Sequence, residues 1–292
     1  MPGLALALLV GVLHVHHAPS HDSDAGFAEL LAAAHAAQLD FLVLAEHADP
    51  EASSGPLPGA ELAGLHAGPG GRALRVLVGV EFGTADGHLL AYDVDELVPA
   101  TGRPGAEVIA DVHEQGGFAV VPHPFTHGGW HAWDALFDGL EVHNNASAFR
   151  RILGPLLPLR LLVASFDHAA VLRSMLRRPE RELERWESLL VAGRRVVGFS
   201  GADAHQNVSL LGWQLDRYAP LFRAVQSVCP GDRPEPEALW AALRGGRCWI
   251  RYEIHAGQGT PREVRFPSGR RELQIDGGAR VLEVRNPIID TP

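Results

Sequence analysis

Apolar stretches of the chain repeatedly end in histidine, glutamate or aspartate. The first covers residues 4–13 and runs directly into His14-Val15-His16; the second covers residues 41–45 and runs into Glu46-His47. Short apolar runs of this kind predict buried strands. Further runs with a terminal acid or histidine cover residues 75–82, 88–92, 118–124, 140–145 and 195–205, and in the run 88–92 the histidine stands at the start.

Helical periodicity separates several of these runs. It predicts helices over residues 27–38, 104–115, 181–191 and 236–243, a mainly helical stretch over 146–195, and a loop over 49–72 with a short helix near 61–66. Strand–helix alternation favours an α/β fold, either barrel-like or doubly wound. In both kinds of fold the chemistry gathers at the carboxyl ends of the strands, which is where most of these polar residues fall.

The texture of the sequence changes at Cys248. Short alternating segments at 249–254, 263–266, 273–275 and 281–284 are separated by Gly and Pro, which indicates a small β extension. We therefore expect a main domain over residues 1–247 and a C-terminal β extension over residues 248–292.

Composition narrows the function. The net charge is -10 and all 25 basic residues are arginine, so lysine chemistry is excluded and an acidic surface disfavours nucleic acid as a partner. Cys229 and Cys248 could pair, but two cysteines do not indicate a disulfide framework. No basic residue precedes the apolar start, which is too short to cross a bilayer, so we expect a first strand, a cytoplasmic protein and no membrane partner.

The strand-end residues together have the composition of a metal site. In a strand, alternate side chains share a face, so His14 and His16 are expected to leave the same side. A His-x-His pair alone is weak evidence, because half-buried strand ends tolerate histidine. The full set of nine exceeds the four to six donors of one divalent ion, suits two or three ions, and points to metal-assisted hydrolysis. The set is His14, His16, His21, His47, Glu81, His88, His123, Asp203 and His205.

The order of these motifs resembles the PHP (polymerase and histidinol phosphatase) superfamily. The matching pieces are His14-Val15-His16 with Ser20-His21, Ala45-Glu46-His47, Gly79-Val80-Glu81, Gly87-His88-Leu89, Pro122-His123-Pro124, Gly139-Leu140-Glu141-Val142 with Asn144, and Gly201-Ala202-Asp203-Ala204-His205. Two further stretches, around Trp186 to Leu190 and from Ala241 to Trp249, are similar to the CehA/McbA-type metallohydrolases.

The resemblance implies a distorted seven-stranded, TIM-like β/α barrel with a di- or trinuclear site. His14, His16, Glu81 and Asp203 would hold one ion. Glu81, His88 and His123 would hold a second, and His21, His47 and His205 a third. Manganese, zinc and iron all occur in the family. A hydroxide between the ions would attack a phosphoester, with Glu81, Asp203 and His205 as the catalytic residues.

Four positions depart from the family pattern, and five residues are weaker candidates for substrate contact. His17 stands where Thr or Ser is usual, Glu46 replaces Asp, and Ala202 replaces Ser; His21 also occupies a position where many relatives have Asp. The substrate candidates are His17, His127, His143 and Arg150, with Arg151 as an equivalent guess.

Three functions stay open at this stage. The first is hydrolysis of a small-molecule phosphoester. The second is hydrolysis of a carboxylic ester or carbamate on the same site, which the CehA/McbA-like stretches suggest. The third is a non-catalytic metal-binding domain that serves a partner. Neither the native metal nor the oligomeric state follows from the sequence.

Overall fold

The computed structural model describes residues 7–18, 20–126, 129–150, 172–173, 176–210, 213–214 and 216–287. The described part of the chain up to residue 204 contains eight strands, and all except the third lie close to the predicted runs. They are β1 (Leu8–Val15), β2 (Phe41–His47), β3 (Gly64–Ala67), β4 (Ala73–Thr84), β5 (Gly87–Tyr92), β6 (Phe118–Val121), β7 (Gly139–Asn144) and β8 (Val197–Ala204).

Seven of these strands form a closed barrel in the order β1-β2-β4-β5-β6-β7-β8, and a pairing of β8 with β1 completes the ring. Neighbouring strands are parallel except for β5, which runs antiparallel to both β4 and β6. The predicted α/β class and the seven-stranded barrel are confirmed. The TIM-like description stays a prediction, because a TIM barrel has eight parallel strands.

The reversed direction of β5 explains the position of its histidine. Glu81 in β4 pairs with Leu90, and Gly83 pairs with His88. The beginning of β5 therefore lies at the same end of the barrel as the carboxyl ends of the parallel strands. This is why a histidine at the start of a run joins histidines that stand at the ends of others.

The strands are apolar because both of their faces are buried. Alternate residues such as Phe41, Val43, Leu90, Tyr92 and Phe118 form one cluster, to which six of the seven barrel strands contribute. The intervening residues form a second layer, in which Leu42, Leu44 and Val76 pack against helix residues. A strand that is covered on both sides reads as a continuous apolar run, as the sequence does here.

The helices agree with the predictions within about two residues at the positions where both exist. They are α1 (Phe27–Ala36), α2 (Gly105–Glu114), α3 (Asn145–Arg150), α4 (Glu180–Val191), α5 (Tyr218–Ala224) and α6 (Pro236–Arg244). The short helix expected near residues 61–66 is instead a 3-10 turn at Ala60–Leu62 followed by β3. Pairing of β3 with β4 in a hairpin overrides the local helical preference there.

The C-terminal strands continue the barrel sheet. They are β11 (Gln226–Pro230), β12 (Trp249–Arg251), β13 (Arg262–Arg265), β14 (Arg271–Ile275) and β15 (Arg280–Arg285). A pair of two-residue strands, β9 (Ser209–Leu210) and β10 (Trp213–Gln214), precedes them in the chain and pairs separately. The first half of β1 pairs with β11 and its second half with β8. Strand β11, which the sequence analysis missed, thus links the extension to the barrel, and the boundary at residue 247 stays a prediction.

The two cysteines form a disulfide, Cys229–Cys248, next to the pairing of β11 with β12. Among the described residues, no helix is both long and apolar enough to cross a bilayer. The cytoplasmic location stays a prediction.

Candidate metal centre

One buried carboxylate, that of Glu81, lies among five imidazoles. Its Oε1 is 2.7 Å from Nδ1 of His88 and 3.0 Å from Nε2 of His123. Its Oε2 is 3.1 Å from Nε2 of His14, 3.3 Å from Nε2 of His16 and 3.5 Å from Nδ1 of His47. Glu81 is only 1% exposed, so both of its oxygens are committed to this cluster.

A bulge in β1, rather than simple alternation, brings His14 and His16 together. The strand ends at Val15, and the pairing of β1 shifts register around His14 on both of its neighbours. His14 has a left-handed backbone with φ of 59°, and His16 lies just beyond the strand, held by its N–H to the carbonyl of Ala204. A bulge redirects a side chain in this way, and here both rings point to the same oxygen of Glu81.

Two further predicted ligands, His123 and Asp203, also adopt left-handed backbone conformations, with φ of 26° and 48°. Such a conformation costs about 1–3 kcal/mol for a residue other than glycine, and it persists where surrounding contacts enforce it. Asp203 Oδ1 lies 3.8 Å from Nε2 of both His14 and His16, and 3.5 Å from Nδ1 of His205. Among the described residues, three of the seven non-glycine residues with positive φ are therefore predicted ligands: His14, His123 and Asp203.

Eight of the nine predicted ligands converge. Three subsets have ligand atoms within 4.8 Å of one another: His14 with His16 and Asp203, His14 with Glu81 and His123, and His16 with His47 and His205. His88, whose side chain is 40% exposed, joins them through Glu81. The first subset lies within the group that the family resemblance assigned to the first ion.

The ninth candidate, His21, is exposed on the rim, and its ring centroid lies 5.2 Å from that of His47. The next residue, Asp22, takes the position between the two histidines that were expected to share an ion with His21. Its Oδ2 is 3.4 Å from Nε2 of His47 and 3.1 Å from Nε2 of His205. Asp22 was not among the ligands predicted from the sequence, although an acid next to His21, at a position where the PHP superfamily often has Asp, was a signal to consider both residues.

The hydrogen-bond pattern leaves donor atoms available for metal. Ser20 Oγ donates to Glu46 and lies 3.2 Å from Nδ1 of His16, so the protonated nitrogen of a neutral His16 is Nδ1. Its Nε2, which faces the cluster, is buried without a hydrogen-bond partner, and so is Nε2 of His205. Buried nitrogens that face carboxylates and make no hydrogen bond fit a metal ion, and mixed N and O donors suit zinc, manganese or iron.

A second carboxylate, Glu141, fixes the ring of His14 from behind. Its Oε1 accepts from Nδ1 of His14 at 2.7 Å, and its Oε2 accepts from the N–H of His123 at 3.0 Å and from Nδ2 of Asn144 at 2.9 Å. Such a partner orients a ligating imidazole and keeps the lone pair on the opposite nitrogen. Gly201 makes room for it, because a Cβ there would lie 1.8 Å from Glu141 Oε1.

Charge in the cluster shifts the pKa values of its members. Burial lowers the pKa of His14, but the negative charges of Glu141 and Glu81 reverse this and hold it well above its usual value of 6.5. At His47, His123 and His205 burial also lowers the pKa, but the nearby acids outweigh the effect of burial. The pKa of each of these histidines is therefore raised. For His16 burial dominates and lowers the pKa to about 4.

The carboxylates shift in the opposite direction. Burial raises the pKa of Glu81, Asp203 and Asp22, but the facing histidines outweigh it and lower all three values. The acids are therefore ionised and several of the histidines hold protons in the metal-free protein. A bound cation would replace those protons, since metal ligation requires neutral imidazole.

Of the residues proposed for substrate contact, the structure describes the side chains of His17 and His143, and both are buried. His17 is buried, its backbone N–H donates to Glu46 at 3.0 Å, and its ring contacts the same carboxylate. His143 is 2% exposed and its Nε2 lies 2.8 Å from Oδ1 of Asn145. His127 and Arg151 lie outside the described residues, as does the side chain of Arg150. Burial of His17 and His143 thus directs both toward the protein interior, so substrate contact by them stays a prediction.

An open cavity of about 750 Å³ adjoins the cluster. Glu81, His47, His88 and Asp22 form its polar side, and His21 lies at its rim. A volume of this order suits a ligand of drug-like size. The site thus combines candidate metal ligands with space for a substrate.

Comparisons with known proteins yield distant likenesses. No family model matches the chain. It is 33% identical to the uncharacterized protein MJ1587 of Methanocaldococcus jannaschii over 75 residues, which are 24% of this chain and 43% of that protein, less than half of its length. One similar solved structure is a two-domain protein from Bacteroides vulgatus that contains a predicted PHP-like metal-dependent phosphoesterase. The superposition has a TM-score of 0.48 and a sequence identity of 13%, and it covers 92% of this chain and 75% of that one.

A second similar structure is endonuclease Q in complex with a 27-mer duplex substrate that has an abasic lesion at the active site. The superposition has a TM-score of 0.44 and a sequence identity of 14%, and it covers 82% of this chain and 57% of that one. This comparison contradicts the expectation that nucleic acid is excluded as a partner, and the exclusion is withdrawn. The physical error was to reason from total charge, because phosphate recognition depends on the local field of a site rather than on the net charge of the chain. Membership of the PHP superfamily and of its CehA/McbA branch stays a prediction.

Proposed function

We propose that this protein is a metal-dependent hydrolase of phosphoesters, with the site organisation that the PHP resemblance implies. The observation that carries the proposal is the position of Glu81, whose two oxygens lie within 3.5 Å of nitrogens from five histidines. A carboxylate in this position can bridge two ions, one at each oxygen.

At least two ions would be held, with the ligands divided by their contacts. His14, His16 and Asp203 would hold one ion together with Glu81, and His88 and His123 would hold a second at the other oxygen of Glu81. His47 and His205 would hold a third, and we propose that Asp22 supplies the ligand that the resemblance assigned to His21. Its carboxylate lies within 3.4 Å of both imidazoles.

Divalent ions in such a site lower the pKa of coordinated water and offset the negative charge that develops on a phosphoryl group. The chain's own residues set the geometry for this chemistry. Glu141 holds the proton of His14 on Nδ1, and Ser20 with Glu46 does the same for His16, so both rings present Nε2 to the cluster. Glu81, Asp203 and His205 are the residues that we propose to be essential for turnover.

A second candidate is hydrolysis of a carboxylic ester or carbamate. It is favoured by the composition of the cavity, because among the described residues that line it there is no arginine to grip a phosphate bidentately. The two candidates share the same ligands and differ in the scissile bond.

The test is hydrolysis by protein loaded with manganese, zinc or iron. The substrates are an aryl phosphomonoester, an aryl phosphodiester, an aryl carboxylic ester, an aryl carbamate and a DNA duplex with an abasic site. His14→Ala and chelated protein are the controls. Turnover of a phosphoester that both controls abolish supports the proposal. Turnover of the carboxylic ester or carbamate alone transfers it to the second candidate. No turnover with any metal, combined with loss of thermal stability on chelation, would favour the non-catalytic alternative.

A further inference from the structure

The cavity beside the metal ligands is lined by chemically different groups of residues. Apart from the histidines, the acids, Phe82, Gly83 and Thr101, the lining consists of small apolar residues that form its apolar side: Ala48, Pro50, Ala52, Pro58, Val98 and Ala100. These residues come from two loops, one after β2 and one after β5. Val98 and Ala100 are 8% and 6% exposed and belong to the hydrophobic core, against which Ala52 also packs.

The apolar side is built before any substrate arrives. The N–H of Leu97 donates to the carbonyl of Gly55 at 2.8 Å, and Pro56 and Glu96 form an antiparallel bridge between the two loops. The side chain of Gln115, the residue that caps the C-terminus of α2, accepts from the N–H groups of Asp95 and Glu96. The two loops are therefore fixed to each other and to a helix, as expected for a preorganised subsite.

Apart from the histidines, the described residues that line the cavity are uncharged or acidic. Asp22 and Asp49 belong to the lining, and histidine supplies its basic groups among the described residues. The nearest arginine in sequence to Ala100, Arg103, is turned elsewhere. It donates to the carbonyl of Pro99 at 2.7 Å and pairs with Asp111 at 2.5 Å and Glu107 at 3.3 Å. A negatively charged group bound here would meet carboxylates without a compensating guanidinium.

We propose that this cavity is a subsite for the leaving group of the substrate. It takes an uncharged, apolar leaving group, such as a phenol or an alcohol with a branched alkyl chain. The inference rests on the proposed function, since it places the scissile ester at the metal ligands. In the hydrolysis, a water oxygen forms the new bond to phosphorus, the bond between phosphorus and the ester oxygen breaks, and the departing alcohol gains a proton from that water. The apolar loops would bind the carbon skeleton of that alcohol.

The experiment compares three aryl phosphates of similar size: para-isopropylphenyl, para-carbamoylphenyl and para-carboxyphenyl phosphate. We expect kcat/KM to be highest for the isopropyl compound and about tenfold or more lower for the carboxy compound than for the carbamoyl compound, because a carboxylate would lie near Asp22 and Asp49 with no guanidinium among the described lining residues to offset the repulsion. The carbamoyl compound has the shape of the carboxy compound without its charge, so it separates charge from size.

A pair of variants at one position tests the location of the subsite. Ala52 is partly exposed, so a long side chain can extend from it into the cavity. Ala52→Arg should reduce the discrimination against the carboxy compound at least about fivefold by supplying a cation, whereas Ala52→Met, of similar length and uncharged, should leave it within about twofold. Equal kcat/KM values for the three compounds, or no effect of Ala52→Arg, would overturn the inference.

Binding separates this inference from the proposed function. The corresponding non-hydrolysable phosphonates are titrated calorimetrically into the metal-loaded protein. Discrimination among phosphonates without turnover of any phosphate would retain the subsite and reject the phosphoesterase, and the same three leaving groups would then be tried as acetates. Absence of phosphonate binding, or affinities that do not depend on the charge of the ring substituent, would reject the subsite itself.

Discussion

Replacement of Glu141 by glutamine changes one atom and should disturb the metal centre through the proton of His14. Glu141 accepts from three donors: Nδ1 of His14 at one oxygen, and the N–H of His123 and Nδ2 of Asn144 at the other. An amide has a single acceptor oxygen. If that oxygen faces His123 and Asn144, the NH₂ group faces His14, whose proton must then move to Nε2, the atom that faces Glu81.

The magnitude follows from this change of tautomer. A proton on Nε2 of His14 has to be displaced before the ring can bind an ion, and loss of such an orienting partner typically costs 10–100-fold in metal affinity, about 1.4–2.8 kcal/mol. The opposite orientation of the amide does not avoid the cost. It would place NH₂ against two donors and leave a buried donor unpaired, at about 1–3 kcal/mol of folding free energy.

The assay is an equilibrium competition for zinc or manganese between the protein and a chromophoric chelator, with the unfolding temperature of the metal-free protein measured in parallel. Glu272→Gln is the matched control, because Glu272 is also 1% exposed but pairs with Arg178 and Arg270. That variant should lower stability and leave metal affinity unchanged.

The reasoning would be refuted by a Glu141→Gln protein whose metal affinity lies within about twofold of the wild type. It would also fail if both variants reduced metal affinity equally. In that event the loss would follow general destabilisation rather than the orientation of His14.

Three other predictions concern the same cluster. Asp22→Asn should lower the number of ions bound per chain, measured by elemental analysis after dialysis, because it removes the charge between two histidines. His21→Ala should leave that number unchanged. The reverse result would restore the sequence-based assignment. Gly201→Ala should weaken metal binding by displacing Glu141, and Gly83→Ala, where a Cβ meets nothing within 4 Å, should not. The metal-free protein should be most stable between about pH 4.5 and 6.5. Below this window the acids with lowered pKa values lose their contribution. Above it the four histidines with raised pKa values lose theirs, against the opposite effect of His16 and His255, whose pKa values are lowered. Thermal unfolding of the metal-loaded protein should show the opposite slope from pH 6 to 8, because protons and metal compete for the same nitrogens, and parallel slopes for the two forms would contradict this.

The sequence alone determined the seven strands of the barrel and most of the residues that converge at the candidate site. Each strand of the barrel is a short apolar run, because each is covered on both faces, and this signal is local. The polar residues at the ends of those runs were identifiable for the same reason, since an ionisable group beside a buried strand is uncommon without a partner. Eight of the nine candidates thus came from pattern and spacing before any contact was known.

Local pattern failed where a contact between distant segments decides the outcome. Strand β11 follows from its pairing with β1, and β3 from its pairing with β4. The same is true of Asp22, which lies between His47 and His205, and of Glu141, which is 127 residues from its partner His14. Glu141 stands in one of the motifs and Asp22 next to a predicted ligand, but the sequence does not show which side chains either acid contacts.

The direction of each side chain was also decided by the tertiary structure. Alternation along β1 predicted that His14 and His16 share a face, but the strand contains a bulge at His14, and the register changes there on both sides. His17 and His143 stand beside the ligands in sequence, yet burial against Glu46 and Asn145 turns them away from the cavity. The sequence determined which residues are brought to this end of the barrel, because strand length and polarity are local. Only closure of the barrel determined which of them face one another, because that depends on strand pairing across the whole chain.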